Sequence, residues 1–212
     1  MTNRADRPLI EHFAQATIPT AYGDFMAHVY RSIVDDQEHL VYAMGDLASC
    51  DSPLVRVHSE CLTGDILASE RCDCGYQLQA ALAMIGEAGC GALVYLRGHE
   101  GRGIGIGHKI RAYALQDDQG LDTVDANTAQ GLPIDARDYG VGADILADLG
   151  VSAIRLLTNN PDKYNGLQKS GLEIVERVSI EVDETPSNAR YLATKRTRMG
   201  HLFDAPTVEV ES

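Results

Sequence analysis

The sequence has no tryptophan, only three phenylalanines, and far fewer basic than acidic residues. Its 18 Lys and Arg residues against 31 Asp and Glu residues give a formal net charge of −13. A protein of that charge repels nucleic acid, and the scarcity of aromatic rings removes the stacking surfaces that single-strand binders use. We therefore expect no nucleic-acid partner, and any anionic ligand has to bind where basic residues are concentrated.

Long apolar runs are also missing. No segment approaches the roughly 20 apolar residues that a membrane-spanning helix needs, and the polar N-terminus lacks the apolar stretch of an export signal. Hydrophobic residues nevertheless make up 44% of the 212 residues, which is ample for a buried core. These features predict a cytoplasmic globular protein with no membrane partner.

The five cysteines are few, odd in number and without an export signal, which argues against disulfides. Cys50 and Cys90 are therefore predicted to be ordinary thiols. Cys61, Cys72 and Cys74 form a C-x10-C-x-C pattern just before a predicted helix. Three thiolates with no evident fourth protein ligand fit a zinc ion with one open position; a structural zinc closed by a fourth residue fits the spacing equally well.

The order of the predicted elements indicates a mixed α/β fold. Apolar stretches before residue 54 predict antiparallel strands, including a hairpin that turns at Gly23-Asp24, and strands then alternate with helices. Such an alternation predicts a single domain, which the motifs described below place over residues 18–203 as a catalytic domain. The N-terminal lead 1–17 and the acidic tail 204–212 are expected to lie outside it and to be loosely held.

Two residues beside Cys61 allow a different chemistry. His58 and Glu60 form the H-x-E pattern in which zinc deaminases of nucleobases use a histidine ligand and a glutamate acid/base. The second half of the deaminase pattern, a proline followed by C-x-x-C, is replaced here by Cys72-Asp73-Cys74. Without the cysteines, His58 would be taken for a strand residue with a satisfied hydrogen bond.

Positive charge is concentrated in two segments. Residues 97–111 hold four basic residues against one acid, interleaved with glycines, which suits phosphate oxygens although flexible surface loops have the same composition. The last predicted helix carries basic residues with no acid between them, which is typical of a solvated or interfacial face: Arg190, Lys195, Arg196 and Arg198. A further loop holds Asp135 and Arg137, where a solvated turn is the simpler interpretation.

Read in order, the segments RVHSECLTGD, GHEGRGIG, KIRAYALQDD, DTVDAN, DARD and TNNPDKY resemble the GTP cyclohydrolase II family from about residue 18 to about residue 202. The long glycine-rich loop is similar to the cyclohydrolase half of bifunctional riboflavin enzymes, and 212 residues leave no room for their synthase half. The resemblance implies hydrolysis of GTP to formate, pyrophosphate and 2,5-diamino-6-ribosylamino-4(3H)-pyrimidinone 5′-phosphate, the first step of riboflavin biosynthesis.

The resemblance also implies ligands and partners. It implies one Zn²⁺ per chain on Cys61, Cys72 and Cys74, Mg²⁺ with the triphosphate, and a homodimer. The GTP contacts that it implies lie in six segments: Arg56, Val57, His58, Ser59 and Glu60, then Gln77, then Glu100, Gly101 and Arg102, then Thr123, then Thr158, and finally Lys163.

Three further positions match residues with proposed catalytic roles. Asp135 matches the proposed proton acceptor, Arg137 the proposed nucleophile, and Tyr113 a tyrosine held near the reacting base. A guanidinium with a pKa above about 12 is a poor nucleophile, so a phosphate-clamping role for Arg137 is the alternative. Three other functions stay open: a variant that retains the formamide, a zinc deaminase, and a non-catalytic GTP-binding module.

Overall fold

A seven-stranded mixed sheet organises the computed structural model, which describes residues 9–133 and 135–202. The strands lie in the order β1-β2-β3-β5-β4-β6-β7. Their bounds are β1 (Ile10–Thr20), β2 (Gly23–Ser32), β3 (Glu38–Met44), β4 (Leu54–Ser59), β5 (Gly91–Leu96), β6 (Ala153–Leu157) and β7 (Glu173–Val178). The predicted acidic tail 204–212 and the first eight residues of the predicted lead lie outside the described residues.

The sheet has an antiparallel and a parallel half. Strands β1, β2, β3 and β5 pair antiparallel, whereas β5, β4, β6 and β7 pair in parallel. The predicted mixed α/β class with N-terminal antiparallel strands is therefore confirmed. Residues 10–17, assigned from the sequence to the lead, belong to β1, while the domain boundaries themselves stay a prediction.

The predicted hairpin is present, but its turn lies earlier than Gly23-Asp24. Thr20 pairs with Gly23 across the two strands, so Ala21 and Tyr22 form the turn. The Thr20 hydroxyl donates to the Gly23 carbonyl at 2.8 Å and accepts from the Tyr22 amide at 3.0 Å. These two bonds close a two-residue loop, the commonest length in hairpins.

No helix among the described ranges has the length and apolar character needed to cross a membrane. A 3₁₀ turn spans Leu47–Ser49. The helices are α1 (Leu62–Asp65), α2 (Cys74–Ala88), α3 (Glu100–Gly103), α4 (Gly105–Gln119), α5 (Thr123–Thr128), α6 (Gly140–Asp148), α7 (Pro161–Lys169) and α8 (Ala189–Arg198).

Helices pack on both faces of the sheet. Buried residues of α6 and α7, such as Leu146 and Leu167, join Val57 of β4 in one apolar cluster. On the other face, Ile85 of α2 packs with Leu93 of β5 in a second cluster. Because neighbouring residues of a strand point to opposite faces, the central strands are covered on both sides. Covered central strands hold the loops at their ends in a fixed geometry.

Cys50 and Cys90 depart from the prediction that they are ordinary thiols, because they form a disulfide with Cα atoms 6.9 Å apart. Cys50 ends the 3₁₀ turn just before β4, and Cys90 directly precedes β5. The parallel pairing of β4 with β5 places Leu54 opposite Gly91, so the two strand starts lie side by side. A cysteine count alone does not reveal this proximity.

Two glycines let α1 and the start of α2 approach closely. A Cβ atom on Gly75 would lie 2.3 Å from the Gly64 carbonyl oxygen, and one on Gly64 would lie 2.8 Å from the Cys72 Sγ atom. Both distances are far inside van der Waals contact. The segments that carry Cys61, Cys72 and Cys74 are therefore packed backbone against backbone.

We expect Gly75→Ala to lower the free energy of unfolding by about 1–3 kcal/mol, because the added methyl group overpacks this contact. Gly107→Ala is the matched control: Gly107 lies in α4 with no atom near its Cβ position, and alanine there is expected to stabilise the chain by up to about 1 kcal/mol. Urea denaturation under identical metal conditions measures both. Equal stability of Gly75→Ala and the wild-type chain would contradict the close approach.

Candidate active site

A cleft lies at the carboxyl ends of the parallel strands β4, β5 and β6. It is lined by residues at or shortly after the ends of these strands, such as Glu60 after β4, His99 in the loop after β5 and Thr158 after β6. The cleft has about 1010 Å³ of free space, counting its open mouth. Open α/β sheets bind their ligands at this edge because the strand-to-helix loops converge there.

Three cysteines form the metal-binding candidate of the cleft. The Sγ atoms of Cys61, Cys72 and Cys74 all lie within 4.8 Å of one another, and those of Cys61 and Cys72 are 3.7 Å apart. Tetrahedral zinc with Zn–S bonds of about 2.3 Å places its sulfurs about 3.8 Å apart. The residues therefore fit a zinc ion, both in spacing and in the softness of their donor atoms.

Lys109 places a positive charge against this cluster. Its Nζ atom donates to the Cys61 Sγ atom at 3.0 Å, to the Thr63 hydroxyl at 2.8 Å and to Glu100 at 2.6 Å. Hydrogen bonds from Cys72 and Cys74, followed by the charge of Lys109, lower the pKa of Cys61 well below its usual value. The bond to Cys61 in turn raises the pKa of Cys72 and of Cys74. The pKa directions therefore favour a thiolate at Cys61, and thiolate is the form that binds metal.

Asp73 lies between two of the cysteines and is fully buried. Its carboxylate accepts from the Lys195 Nζ atom at 2.5 Å and from the Gln77 side-chain amide at 2.7 Å. The Gln77 carbonyl in turn accepts from the Arg56 guanidinium at 2.5 Å, and Arg56 also donates to the Leu157 carbonyl at 2.9 Å. One hydrogen-bonded chain thus links α8, the metal loop, α2, β4 and β6.

His58 is held away from the cysteine cluster by a carboxylate. Its Nε2 atom lies 3.1 Å from Asp65, which also accepts from the Tyr95 hydroxyl at 2.8 Å and from the Cys61 amide at 2.9 Å. Burial lowers the pKa of His58, so its ring is neutral. Within the described ranges, the group of candidate metal ligands contains the three cysteines and no histidine. His58 is thus not placed as the ligand that a deaminase requires.

Cations surround the cleft, and part of their charge is matched by acids behind it. Lys109 pairs with Glu100, Arg137 with Asp135, and Lys195 with Asp73. Among the residues that the structure describes, Arg56, Arg102 and Lys163 are buried cations for which no carboxylate pair is found.

Two of these three cations have buried N–H groups without a hydrogen-bond partner, and the third has a lowered pKa. The Arg102 Nη1 atom and the Arg56 Nε atom are buried without a hydrogen-bond partner. Burial, with the nearby charges of Arg56 and Arg137, lowers the pKa of Lys163 well below its usual value. Because buried charges and donors are costly without partners, an anion is the ligand that suits this wall.

Arg137 is clamped by its neighbour in the chain. Its Nε atom donates to Asp135 at 2.9 Å, and its Nη2 atom makes a second, short bond to the same carboxylate. Its Nη1 atom reaches the Ser59 hydroxyl at 3.4 Å. Although burial opposes the charged form, the bonds to Asp135 raise the pKa of Arg137 above its usual value. The guanidinium therefore faces the cleft as a permanent cation.

The comparison with protein families agrees with this geometry. Residues 11–179 match the family model described as GTP cyclohydrolase II. The chain belongs to the GTP cyclohydrolase II family. This match covers all seven strands except the first residue of β1, and it includes every predicted site residue.

Curated relatives are similar over nearly the whole chain. The riboflavin biosynthesis protein RibBA of Rhodococcus jostii is 59% identical over 91% of this chain and 47% of its own. RibBA of Chlamydia muridarum is 54% identical over 94% and 47%. A chloroplastic protein of Oryza sativa subsp. japonica, named as probable bifunctional in riboflavin biosynthesis, is 57% identical over 92% and 35%. The chain thus spans between about a third and a half of the length of these relatives.

The solved structures add a distant similarity. A two-domain 3,4-dihydroxy-2-butanone 4-phosphate synthase from A. baumannii aligns over 84% of this chain and 42% of its own, with a TM-score of 0.49 and 24% sequence identity. That similarity is too remote to inform the function of this family member.

Most of the residues that the sequence singled out line one cleft. The exceptions are Val57, Glu100 and Asp135, which lie behind it: the Val57 carbonyl accepts from Lys163 at 2.6 Å, and the two carboxylates hold Lys109 and Arg137. These three residues do not line the cleft themselves but hold residues that do. The roles assigned to all of these residues stay proposals.

Sequence reasoning missed several residues of the cleft. Asp65 and Asp73 were given no role from the sequence, yet the side chain of each is enclosed beside the cysteine cluster, and Asp65 accepts from the Cys61 amide. The basic face expected on the last helix is only partly solvated, because Lys195 is buried against Asp73. For Asp73, the sequence signal was its position between two candidate metal ligands, Cys72 and Cys74. No local pattern indicated Lys195, because its partner is 122 residues away.

We expect Cys72→Ser to weaken zinc binding more than about 100-fold, because a hydroxyl replaces one of three thiolates. Elemental analysis of the purified protein measures zinc per chain. The control is the double variant Cys50→Ser/Cys90→Ser, which makes the same change outside the cluster and should keep its zinc. Full zinc in the Cys72→Ser variant would exclude this cluster as the metal site.

Proposed function

We propose that the chain is a zinc-dependent GTP cyclohydrolase II that opens the imidazole ring of GTP. The products would be formate, pyrophosphate and 2,5-diamino-6-ribosylamino-4(3H)-pyrimidinone 5′-phosphate. The observation that carries the proposal is the position of a three-cysteine cluster in the same cleft as three buried cations, for which the described part of the chain shows no carboxylate partner. A metal site and an anion-binding wall within one cleft match a substrate with a reactive ring and a triphosphate.

The triphosphate would bind to the cationic wall. Arg56, Arg102 and Lys163 would each gain an anionic partner. Arg137 would contribute the part of its guanidinium that is not bound to Asp135. Charge-assisted bonds of this kind are among the strongest hydrogen bonds in proteins. We further propose that Mg²⁺ accompanies the triphosphate, as the family resemblance implies. A homodimer and a cytoplasmic location likewise stay predictions.

The metal would be held by Cys61, Cys72 and Cys74. When bound, zinc with an open coordination position supplies a Lewis acid that lowers the pKa of water. Lys109 offsets part of the thiolate charge through its contact with Cys61. Neutral His58, fixed through Asp65, presents its unpaired Nδ1 atom as a hydrogen-bond acceptor beside the cleft. This acceptor suits an N–H group of the base.

Tyr113 would orient the base as a hydrogen-bond donor. Burial raises the pKa of Tyr113 above its usual value, so the phenol keeps its proton. Its ring lies beneath the Arg71 guanidinium, 4.5 Å from the ring centre, and lines the cleft next to the cysteines. A fixed phenolic O–H group suits the positioning, or the protonation, of an opened ring.

Arg137 fits the role of a phosphate clamp better than that of a nucleophile. A nucleophilic nitrogen needs a free lone pair, whereas the bonds to Asp135 stabilise the protonated guanidinium. Asp135 would then fix the orientation of Arg137 and not remove its proton. We propose that water, and not Arg137, cleaves the link between the α- and β-phosphates.

The proposed reaction is tested by incubating the purified chain with GTP and Mg²⁺ and measuring formate, pyrophosphate and the pyrimidine together. Equal amounts of the three products are expected. A pyrimidine that retains its formamide would indicate the shortened reaction, and ammonia without formate would indicate a deaminase. Tight GTP binding without any product would indicate a non-catalytic module. Each of these results would overturn the proposal.

Two lysines of α7 provide a matched pair for the same assay. Lys163→Met should raise the KM for GTP about tenfold or more, because a buried cation facing the triphosphate is lost. Lys169→Met removes an exposed lysine from the last turn of the same helix and should leave KM unchanged. Equal KM values for both variants would exclude Lys163 from the substrate site.

The role of Arg137 is tested by mass spectrometry of rapidly quenched reactions. We expect no guanylyl adduct on the protein, because the pairing with Asp135 leaves the guanidinium protonated. Intact-mass measurement during the first turnover, followed by peptide mapping, is the readout. An adduct that maps to Arg137 and forms and decays as fast as product appears would establish the nucleophile and contradict the clamp.

A further inference from the structure

Helix α8 completes the cleft from outside the segment that matches the family model. The match ends at residue 179, whereas Tyr191 and Lys195 of α8 and His201 after it line the cleft. The sequence pattern had placed this helix on a solvated or interfacial face. Its cleft-facing side chains therefore need a function of their own.

The helix and the residues after it are fixed to two parts of the molecule, the segment 120–125 and the loop after β6. Arg190 donates to the carbonyls of Gly120 and Leu121 at 2.5 and 3.0 Å, and Arg198 pairs with acids at the start of α5. After the helix, the Leu202 amide donates to the Asn159 carbonyl at 2.9 Å. These contacts hold α8 across the cleft as a wall.

Lys195 is the inward anchor of this wall. Its Nζ atom donates to Asp73 at 2.5 Å, and the second oxygen of Asp73 accepts from Gln77 at 2.7 Å. Gln77 then accepts from Arg56 at 2.5 Å. Each of these four side chains is buried. Arg56 is the member of the chain that presents an unpartnered N–H group, its Nε atom.

We infer that α8 is the closing wall of the substrate cleft and that Lys195 is a positioning residue, which orients Arg56 toward the triphosphate through Asp73 and Gln77. The inference rests on the proposed function for the identity of the anion. Lys195 compensates the charge of Asp73, so that Asp73 can hold the Gln77 amide and Gln77 can hold the guanidinium. Without Lys195, Asp73 is a buried anion that has lost its ion-pair partner, and such a group forces local rearrangement.

The first experiment measures binding of inorganic triphosphate by calorimetry, with formate release from GTP assayed in parallel. Lys195→Met should raise the Kd for triphosphate about tenfold, the typical effect of losing one well-placed charge-assisted hydrogen bond. Lys195→Arg should restore most of the affinity, because it keeps the charge. Arg196→Met is the control, since Arg196 pairs with Glu184 on the exposed side of the same helix, and it should not change Kd.

A double-variant cycle separates positioning from direct contact. In an Asp73→Asn background there is no buried charge for Lys195 to compensate, so Lys195→Met should then change Kd less than about twofold. If Lys195 instead touches the triphosphate itself, its tenfold effect will persist in that background, and the positioning role is overturned. Equal Kd values for Lys195→Met and the wild-type chain would overturn it as well.

A fluorescence experiment tests whether α8 lines the substrate cleft while the Lys195–Asp73 ion pair stays intact. Since the chain has no tryptophan, Tyr191→Trp introduces a single emitter into the cleft, and its fluorescence should change when inorganic triphosphate or GTP binds. Phe13→Trp, on exposed β1, is the control and should not respond. An unresponsive Tyr191→Trp variant that binds triphosphate by calorimetry would overturn the wall, even if Lys195→Met fails to fold.

These readouts distinguish the two proposals. If the wild-type chain releases no formate but Lys195→Met binds triphosphate more weakly than it does, the proposed cyclohydrolase activity is overturned and the positioning role is kept. If the wild-type chain releases formate but Lys195→Met binds triphosphate equally well, the positioning role is overturned and the cyclohydrolase activity is kept. A wild-type chain that binds no triphosphate would overturn both.

Discussion

Compensation of buried charge is the constraint on which the cleft depends. Lys109, Arg137 and Lys195 each lie beside a carboxylate, which is close in sequence for Lys109 and Arg137 and 122 residues away for Lys195. Each cation also connects its pair to a further part of the cleft: Lys109 contacts Cys61, Arg137 contacts Ser59, and Lys195 holds Asp73 between two cysteines. Since a buried ion without a partner costs several kcal/mol, these pairs fix the loops that they join. The remaining buried cations, Arg56, Arg102 and Lys163, form the cleft wall that we propose binds the anion.

The sheet makes this arrangement possible. Parallel strands β4, β5 and β6 end at one edge, so residues about 100 positions apart, such as Arg56 and Leu157, meet there. The helices on both faces bury the central strands, which keeps the edge rigid. Pre-organised sites need such support, because catalytic geometry tolerates little displacement. The net negative charge of the chain lies elsewhere and does not oppose a local positive cleft.

Local patterns carried much of the prediction. Helical and strand periodicities located the elements, and the C-x10-C-x-C spacing located a cluster that the fold brings together. Errors arose where a residue's partner is far away in sequence. Cys50 and Cys90 were assigned as thiols from the odd cysteine count and the lack of an export signal, and nothing local shows that the strands after them begin side by side. Lys195 was assigned to a solvated face because Asp73 is 122 residues away.

The amino-acid sequence by itself determined the fold class, the family resemblance and which residues are chemically equipped for metal and phosphate. These properties follow from side-chain chemistry and short-range periodicity, which are written into neighbouring positions. Only the tertiary structure decided which cations are neutralised and which stay free, that His58 serves Asp65 and lies outside the cysteine cluster, and that α8 closes the cleft. The reason is physical: burial and long-range pairing set the state of a charged group, and both exist only once the chain has folded.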